Sequence, residues 1–371
     1  MSATVGPTGA AGDVAVAPAP RPPARDLPNL DFMRALAVLL VVGNHVLETA
    51  GVLAGRSFSP FDQYLGRMGV LMFFVHTSLV LMLSMDRSQP RGASFFTTFY
   101  LRRAFRIYPL SIVCVLVVLA LGAPPVAWTH APTPVVSTFD IVANLLLIQN
   151  LVYAELVLSP LWSLPLELQM YVVLPMLHLL LRTSSPVRRV WLLWALAIVA
   201  GLLHPYVPGG SRLNVAVFGP CFMAGVLAYT LLPRTLPRWP AAAWAAVLVG
   251  VTAAYVAIAS VSPVVHPPWL GWLYCLAIGL AIPRFVQFSH PAIRAASHTI
   301  AKYSYGIYLF HMLALWIGLG PTSPWSLGPV AGSLTALALV LVAPIACFHL
   351  VEEPMIGVGV RLARRLTPRA A

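Results

Sequence analysis

The chain has 371 residues, of which 59% are hydrophobic and only 9% charged, with a mean hydropathy of +0.83 and a formal net charge of +12. Soluble globular domains carry about 25% charged residues, so this composition excludes a water-soluble fold and places most of the chain in lipid. The positive balance comes from 22 Arg and one Lys in short segments between apolar runs, which excludes a compact basic nucleic-acid-binding domain and fits the basic bias of cytoplasmic loops.

Residues 1–27 are rich in Ala, Pro and Gly. They lack the basic start and apolar core of a signal peptide, and read as a disordered cytoplasmic tail. Apolar runs follow at about 32–51, 66–85, 108–123, 141–158, 162–181, 190–204, 212–232, 240–260, 268–288, 304–320 and 327–350. A hydrocarbon core needs about 20 apolar residues per helix. If all eleven runs cross from a cytoplasmic N-terminus, Arg182, Arg188, Arg189 and the arginines after residue 360 fall outside, against the positive-inside rule. Run 141–158 is the most polar, with Asn144, Gln149, Asn150 and Glu155. If it does not cross, 19 basic residues lie inside and 3 outside, with Arg34 within the first helix. The expectation is an all-α polytopic membrane protein. It has about ten transmembrane helices, a re-entrant or interfacial segment at 141–158, and both termini cytoplasmic. Residues 357–371 form a short basic tail. Cys114, Cys221, Cys275 and Cys347 lie in apolar runs without a CxxC pair, so they read as small apolar residues, and no metal pattern is present.

The polar residues inside these runs carry the functional signal, because ionisable groups in hydrocarbon cost roughly 2.5–3.5 kcal/mol each. In "LDFMRALAVLLVVGNHVLETAG" (30–51), Arg34 and His45 are eleven residues apart. Eleven helical steps come within roughly 20° of whole turns and rise about 16 Å, so both project from one face. Glu48 follows His45 by three residues and can orient its imidazole as a proton acceptor. His76 is a lone histidine in the second run, which is commonly a helix contact. In "FYLRRAFRIYPL" (99–110), Arg102, Arg103 and Arg106 precede Pro109. Guanidiniums at a cytoplasmic entrance suit phosphates of a headgroup or nucleotide. In "SPLWSLPLELQMYVVLPML" (159–177), Glu167 falls at the outer end of its span and needs a partner or a polar cavity. Trp162 and Tyr171 could wall a substrate site. In "SYGIYLFHM" (304–312), Ser304, Tyr308 and His311 form one polar stripe. In "HLVEEPMI" (349–356), Glu353 precedes Pro354, which should end the helix. An acid at a helix C-terminus calls for a cationic partner, here a nearby arginine.

Taken in order, these motifs resemble the integral-membrane acyltransferase type 3 family, over residues 30 to 356. The resemblance implies a membrane domain at 28–356 in a bacterial plasma (inner) membrane. It implies O-acyl transfer, often acetyl, from cytoplasmic acyl-coenzyme A to a hydroxyl of a sugar, a polysaccharide precursor or a macrolide-like metabolite. No cofactor is held permanently, acyl-coenzyme A being a co-substrate. The partners are the bilayer, the donor and the acceptor, with no nucleic acid. By the same resemblance Arg34 and His45 are essential, with Glu48 and Glu167 beside them. Arg102, Arg103 and Arg106 meet the donor. Trp162, Ser304, Tyr308 and His311 are candidates for substrate contact, and Glu353 for an ion pair. The family pattern FFxxSG reads "FFVHTS" here, with Thr77 and Ser78 in place of Ser-Gly, which removes a close-packing point. Direct attack with His45 as general base is preferred over an acyl-enzyme. The alternatives are a secondary transporter or flippase using the charges as a relay, and a non-catalytic sensor.

Overall fold

The computed structural model describes residues 27–56, 60–87, 92–129, 135–182, 185–207, 214–262, 264, 266–325 and 327–366. The tail expected at 1–27 and the last five residues therefore lie outside the described residues, apart from Leu27. Among the described residues all regular structure is helical, save one isolated bridge between Trp239 and Phe285. The chain is an all-α polytopic membrane protein, and seven of its helical stretches are long and apolar enough to cross a bilayer.

The first helices are α1 (Pro28–Leu53), α2 (Pro60–Asp86) and α3 (Ala93–Leu121). Then come the short α4 (Thr138–Leu145) and α5 (Gln149–Val152), a 3-10 turn over Ser159–Ser163 and α6 (Leu164–Leu180). After these the chain forms α7 (Pro186–Leu203), α8 (Val215–Leu231), α9 (Ala241–Val261), α10 (Pro268–Ala281) and α11 (Pro291–Leu319). It ends with α12 (Pro329–Cys347), a π turn over Phe348–Glu352 and α13 (Glu353–Leu366). Six of these helices open on proline, whose fixed φ suits a first turn and whose missing N–H has no helical partner there.

Run 141–158 is not one helix. An eight-residue helix rises only about 12 Å, and Leu147 and Tyr153 take φ of 55° and 56°, which stops continuation. The polar residues that mark this run tie it into a hairpin. The Asn144 amide donates to the carbonyls of Asp140 (2.8 Å) and Glu155 (2.7 Å), and the Asp140 carboxylate accepts from the Glu155 N–H at 2.9 Å.

Two helices begin well before their apolar runs: α3 at residue 93 rather than 108, and α11 at 291 rather than 304. Their first turns are polar, so hydropathy does not register them. "RRAFRIYP" is thus internal to α3, with Pro109 inside the helix. The expectation that Pro354 ends its helix is also corrected. The backbone widens into the π turn just ahead of it and continues as α13. A wider turn relieves the clash of a proline ring with the preceding turn.

α1 packs between α2 and α11. Asp31 meets His298, Arg34 meets Ser304 and His45 meets His311, so α1 and α11 run parallel. α3 runs parallel to them too, since Ile107 meets Tyr305 and Cys114 meets Leu309. α2 runs the other way, with its Gly66 N–H donating to Asn44 Oδ1 at 3.0 Å. The approach is close because a Cβ on Gly69 would strike the Ala37 carbonyl. α2 lies at the centre, whereas α7, α9 and α12 turn Leu192, Val249 and Leu337 outward.

Candidate active site

Three cavities follow α1 along its length. The one at Arg34 is narrow, about 90 Å³, and is walled by α1, α2, α3, α6 and α11. The Arg34 Nε–H donates to Ser304 Oγ at 2.6 Å, and that hydroxyl donates in turn to the Ala301 carbonyl at 2.8 Å. Arg103, Arg106 and Glu167 complete the charged lining. Glu167 accepts from the Tyr171 hydroxyl at 2.6 Å and lies 3.5 Å from Thr77 Oγ1. Arg106 forms an ion pair with Glu352, which is 1% exposed. Of the charges at this level, Arg106 is thus neutralised across helices by Glu352, the condition for keeping such a pair away from water.

The second cavity is wider, about 320 Å³, and lies around His45. His45 Nδ1 is 2.6 Å from Glu48 Oε2. An ionised carboxylate only accepts, so the Nδ1 carries the proton and Nε2 is left as the free base. The ring is fixed on both faces by Trp128 (5.7 Å between centroids) and His311 (5.2 Å). Thr49 donates to the His45 carbonyl at 2.7 Å. Arg67, Trp162 and His266 line the rest with Asn44 and Ser159. The Arg67 guanidinium lies over the Phe218 ring at 5.2 Å. Burial, and then the Arg67 charge, pull His266 in the loop after α9 down to about 4, so its imidazole is neutral at pH 7.

Tyr308 lines both cavities. Its hydroxyl donates to the Pro160 carbonyl at 2.7 Å, leaving the oxygen to accept from Ser163 Oγ at 2.7 Å. These bonds pin the start of α6 at the mid-level of α11. A third cavity opens at the N-terminal end of α1, around Asp31, His298 and Lys302, and shares Arg34, His76 and Arg106 with the first.

The structure thus brings together Arg34, Glu167, Arg103, Arg106, Ser304 and Tyr308 at one level and His45, Glu48 and Trp162 at the next. His311 lines none of these three cavities. It is fully buried, donates from Nδ1 to the Tyr308 carbonyl at 2.8 Å, and meets the site through the rings of His45 and Tyr308. Arg102 lines neither of the first two cavities and lies near Arg364 of α13. Glu167 is not at the outer end as expected but beside Arg34. The broken hairpin and 3-10 turn carry the chain inward before α6 begins, so its first turn, which holds Glu167, is already deep. Glu353 does not pair with an arginine. It is exposed at the start of α13, 3.0 Å from His349 Nδ1. The buried acid of that motif is its neighbour Glu352, and the same two letters of sequence held both readings.

His76 borders the first and third cavities. Thr77 faces the Arg34 cavity, and Ser78 donates to the Phe222 carbonyl at 2.8 Å. The close-packing point missing from α2 is supplied by α8, where a Cβ on Gly225 would strike the Val75 carbonyl and the Ser78 hydroxyl. The four cysteines carry free thiols, and among the described residues no group of three or more His, Cys, Asp or Glu is placed to hold a metal.

The family model described as an acyltransferase domain matches residues 27–349. Among curated proteins, the chain is 28% identical over 372 residues to the acyltransferase MdmB of Streptomyces mycarofaciens, covering 88% of this chain and 90% of that protein. No solved structure matches.

Proposed function

The chain belongs to the acyltransferase domain family and is a membrane O-acyltransferase, and from that premise we propose that it carries an acyl group, acetyl in the first instance, from cytoplasmic acyl-coenzyme A to an acceptor hydroxyl at His45. The observation that carries this reading is the succession of cavities along α1. A narrow charged cavity at Arg34 leads to a wider one that holds a free imidazole base, and Tyr308 forms part of both walls.

The chemistry follows from the His45–Glu48 pair. The acceptor hydroxyl gives its proton to Nε2 as its oxygen bonds to the thioester carbonyl carbon. Glu48 stabilises the imidazolium that forms. The tetrahedral intermediate then collapses, the C–S bond breaks, and the leaving thiolate takes the proton back from Nε2. The donor thioester reaches the site through the Arg34 cavity, whose small bore suits an extended pantetheine arm. The acceptor, a sugar, glycolipid precursor or macrolide-like metabolite, occupies the His45 cavity against Trp162.

The parallel run of α1 and α11 supports ten crossings with both termini cytoplasmic, because a crossing at 141–158 would set those helices antiparallel. The Streptomyces relative supports a bacterial plasma membrane. The deciding experiment is thioester cleavage of acetyl-coenzyme A by purified protein, wild type against H45A and R34A, with a panel of sugar and macrolide acceptors. Acceptor-dependent cleavage lost in both variants is expected. Full activity in H45A would remove the base assignment, and acceptor-independent behaviour throughout would remove the transfer reading.

A further inference from the structure

The sequence puts three arginines of α3 in the position of donor-phosphate ligands, but two of them, Arg102 and Arg103, do not border the Asp31 cavity, and the third is paired. Arg106 is committed to the buried Glu352. Arg103 lines the Arg34 cavity together with Glu167 and Tyr171. Arg102 lies on the flank toward α13, beside Arg364. The cation that borders the Asp31 cavity without such a commitment is Lys302, the single lysine of the chain. Among the described residues Lys302 takes part in no ion pair within 4.0 Å. Its Nζ lies instead 4.7 Å from the Phe348 ring centroid and 5.1 Å from that of Tyr303.

We infer that Lys302 grips a phosphate group in the Asp31 cavity, and that this phosphate belongs to the nucleotide end of the acyl donor. The cavity is about 330 Å³ and borders Arg34, so a ligand seated there reaches directly into the narrow cavity beyond. Arg34 and Arg106 add positive charge to its wall. Its one lining carboxylate, Asp31, is held 3.0 Å from His298. An ammonium on a four-carbon stem, lying along two rings, turns from ring face to phosphate with little rearrangement. The same chemistry would also take a lipid headgroup, so the two sources must be separated. The assignment of the source rests on the acyl-coenzyme A reading above.

One lysine permits a test that needs no turnover. Full-length protein in nanodiscs is treated with an amine-reactive succinimidyl ester. Modification of the Lys302 peptide is followed by mass spectrometry, with the N-terminal peptide as internal reference. Coenzyme A and adenosine 3′,5′-bisphosphate are each expected to slow labelling about tenfold, and pantetheine is expected to leave it unchanged. Equal protection by pantetheine overturns the phosphate contact. Protection only when phosphatidylglycerol replaces phosphatidylcholine assigns the site to lipid and overturns the donor source, and no protection by any of them overturns the site. In kinetics, K302Q should raise the KM for acetyl-coenzyme A about tenfold relative to its KM for acetyl-pantetheine, with K302R restoring most of the difference, as loss of one charge-assisted contact predicts. An unchanged ratio contradicts the inference. Protection without thioester consumption would uphold the phosphate site and remove the transfer reading. Consumption without protection would do the reverse.

Discussion

The two cavities that share Tyr308 solve opposite problems. At Arg34 three charges are answered by a group on another helix: Arg34 by Ser304, Arg106 by Glu352, Glu167 by Thr77 at 3.5 Å. The result is narrow, rigid and built from five helices. At His45 the decisive pair is local, three residues apart on α1, and beside the helix residues Asn44, Arg67 and Tyr308 part of the wall comes from loops and helix ends, Ser159, Trp162 and His266. A site assembled from long-range pairs holds one invariant shape, which suits a donor arm common to many reactions. A site with a local base and a partly loop-built wall can change its acceptor while the base stays in place.

That contrast is broken most directly at its chemical end. H45A removes the base and is expected to cut acyl transfer about a thousandfold, or roughly 4 kcal/mol of barrier, with thermal stability in detergent nearly unchanged. Acyl transfer is read as free thiol released in the presence of the best acceptor. A large stability loss with modest loss of rate would make His45 a packing residue and the distinction between the cavities empty.

Next in size is the Arg106–Glu352 pair. Removing one partner of a buried pair strands the other charge, at a cost of about 3 kcal/mol. E352Q should therefore lower the unfolding midpoint markedly, and the double variant R106M/E352L should recover part of it. If E352Q is as stable as wild type, the charges at the Arg34 level are not holding the helices together. A smaller effect is expected at Arg34 itself. R34K keeps the charge but loses the fixed Nε–H aimed at Ser304, and a tenfold fall in rate, about 1.4 kcal/mol, is the expected outcome. S304A should give a loss no larger, because the guanidinium then still faces Glu167. A hundredfold loss in S304A would place the serine in the chemistry itself.

The same contrast governs what the sequence discloses. The His45–Glu48 pair is local, so helical periodicity alone places it. The Arg34–His45 alignment and the Ser304–Tyr308–His311 stripe are legible for the same reason, as is the break of run 141–158 into short helices, since its polar residues stand in plain view. What periodicity cannot show is which helix faces which. Glu352 and Glu353 are adjacent letters, and only the π turn before Pro354 decides which one meets Arg106. Glu167 looks external because its distance from the loop counts as depth only after the hairpin has folded inward. Arg67 and Asn44 carry no helical partner in sequence, so their place in the His45 wall emerges only from packing of α1 on α2. The polar first turns of α3 and α11 are invisible to hydropathy for the plain reason that they are not apolar.

The smallest expected effect tests whether the two cavities are separately supported. The wall of the His45 cavity at Ser159 to Trp162 is steadied from the α4–α5 hairpin, because the Gln149 amide donates to the Leu161 carbonyl at 3.0 Å, and from the segment after α3, whose Pro125 carbonyl accepts from the Ser159 N–H at 2.8 Å. That hairpin is closed by Asp140, whose carboxylate accepts from the Ser137 hydroxyl and N–H and from the Glu155 N–H. These bonds, the Ser137 hydroxyl first, hold its carboxyl below the usual carboxylate value. A depressed value means the ionised form is the one the fold favours. Its contribution is fully present above the ordinary carboxyl pKa of about 3.9 and is lost as pH falls toward the lower folded-state value. Hydrogen exchange should therefore show amides of 141–158 losing protection in acid in the wild type, and already at neutral pH in D140A. The Arg34 level, which touches this hairpin through Tyr108 and Gln169 but draws none of its lining residues from it, should keep its protection in both cases. If exchange at α3 and α11 rises together with the hairpin, the two cavities open as one unit, and the separation of a fixed donor site from an adaptable acceptor site fails at its structural root.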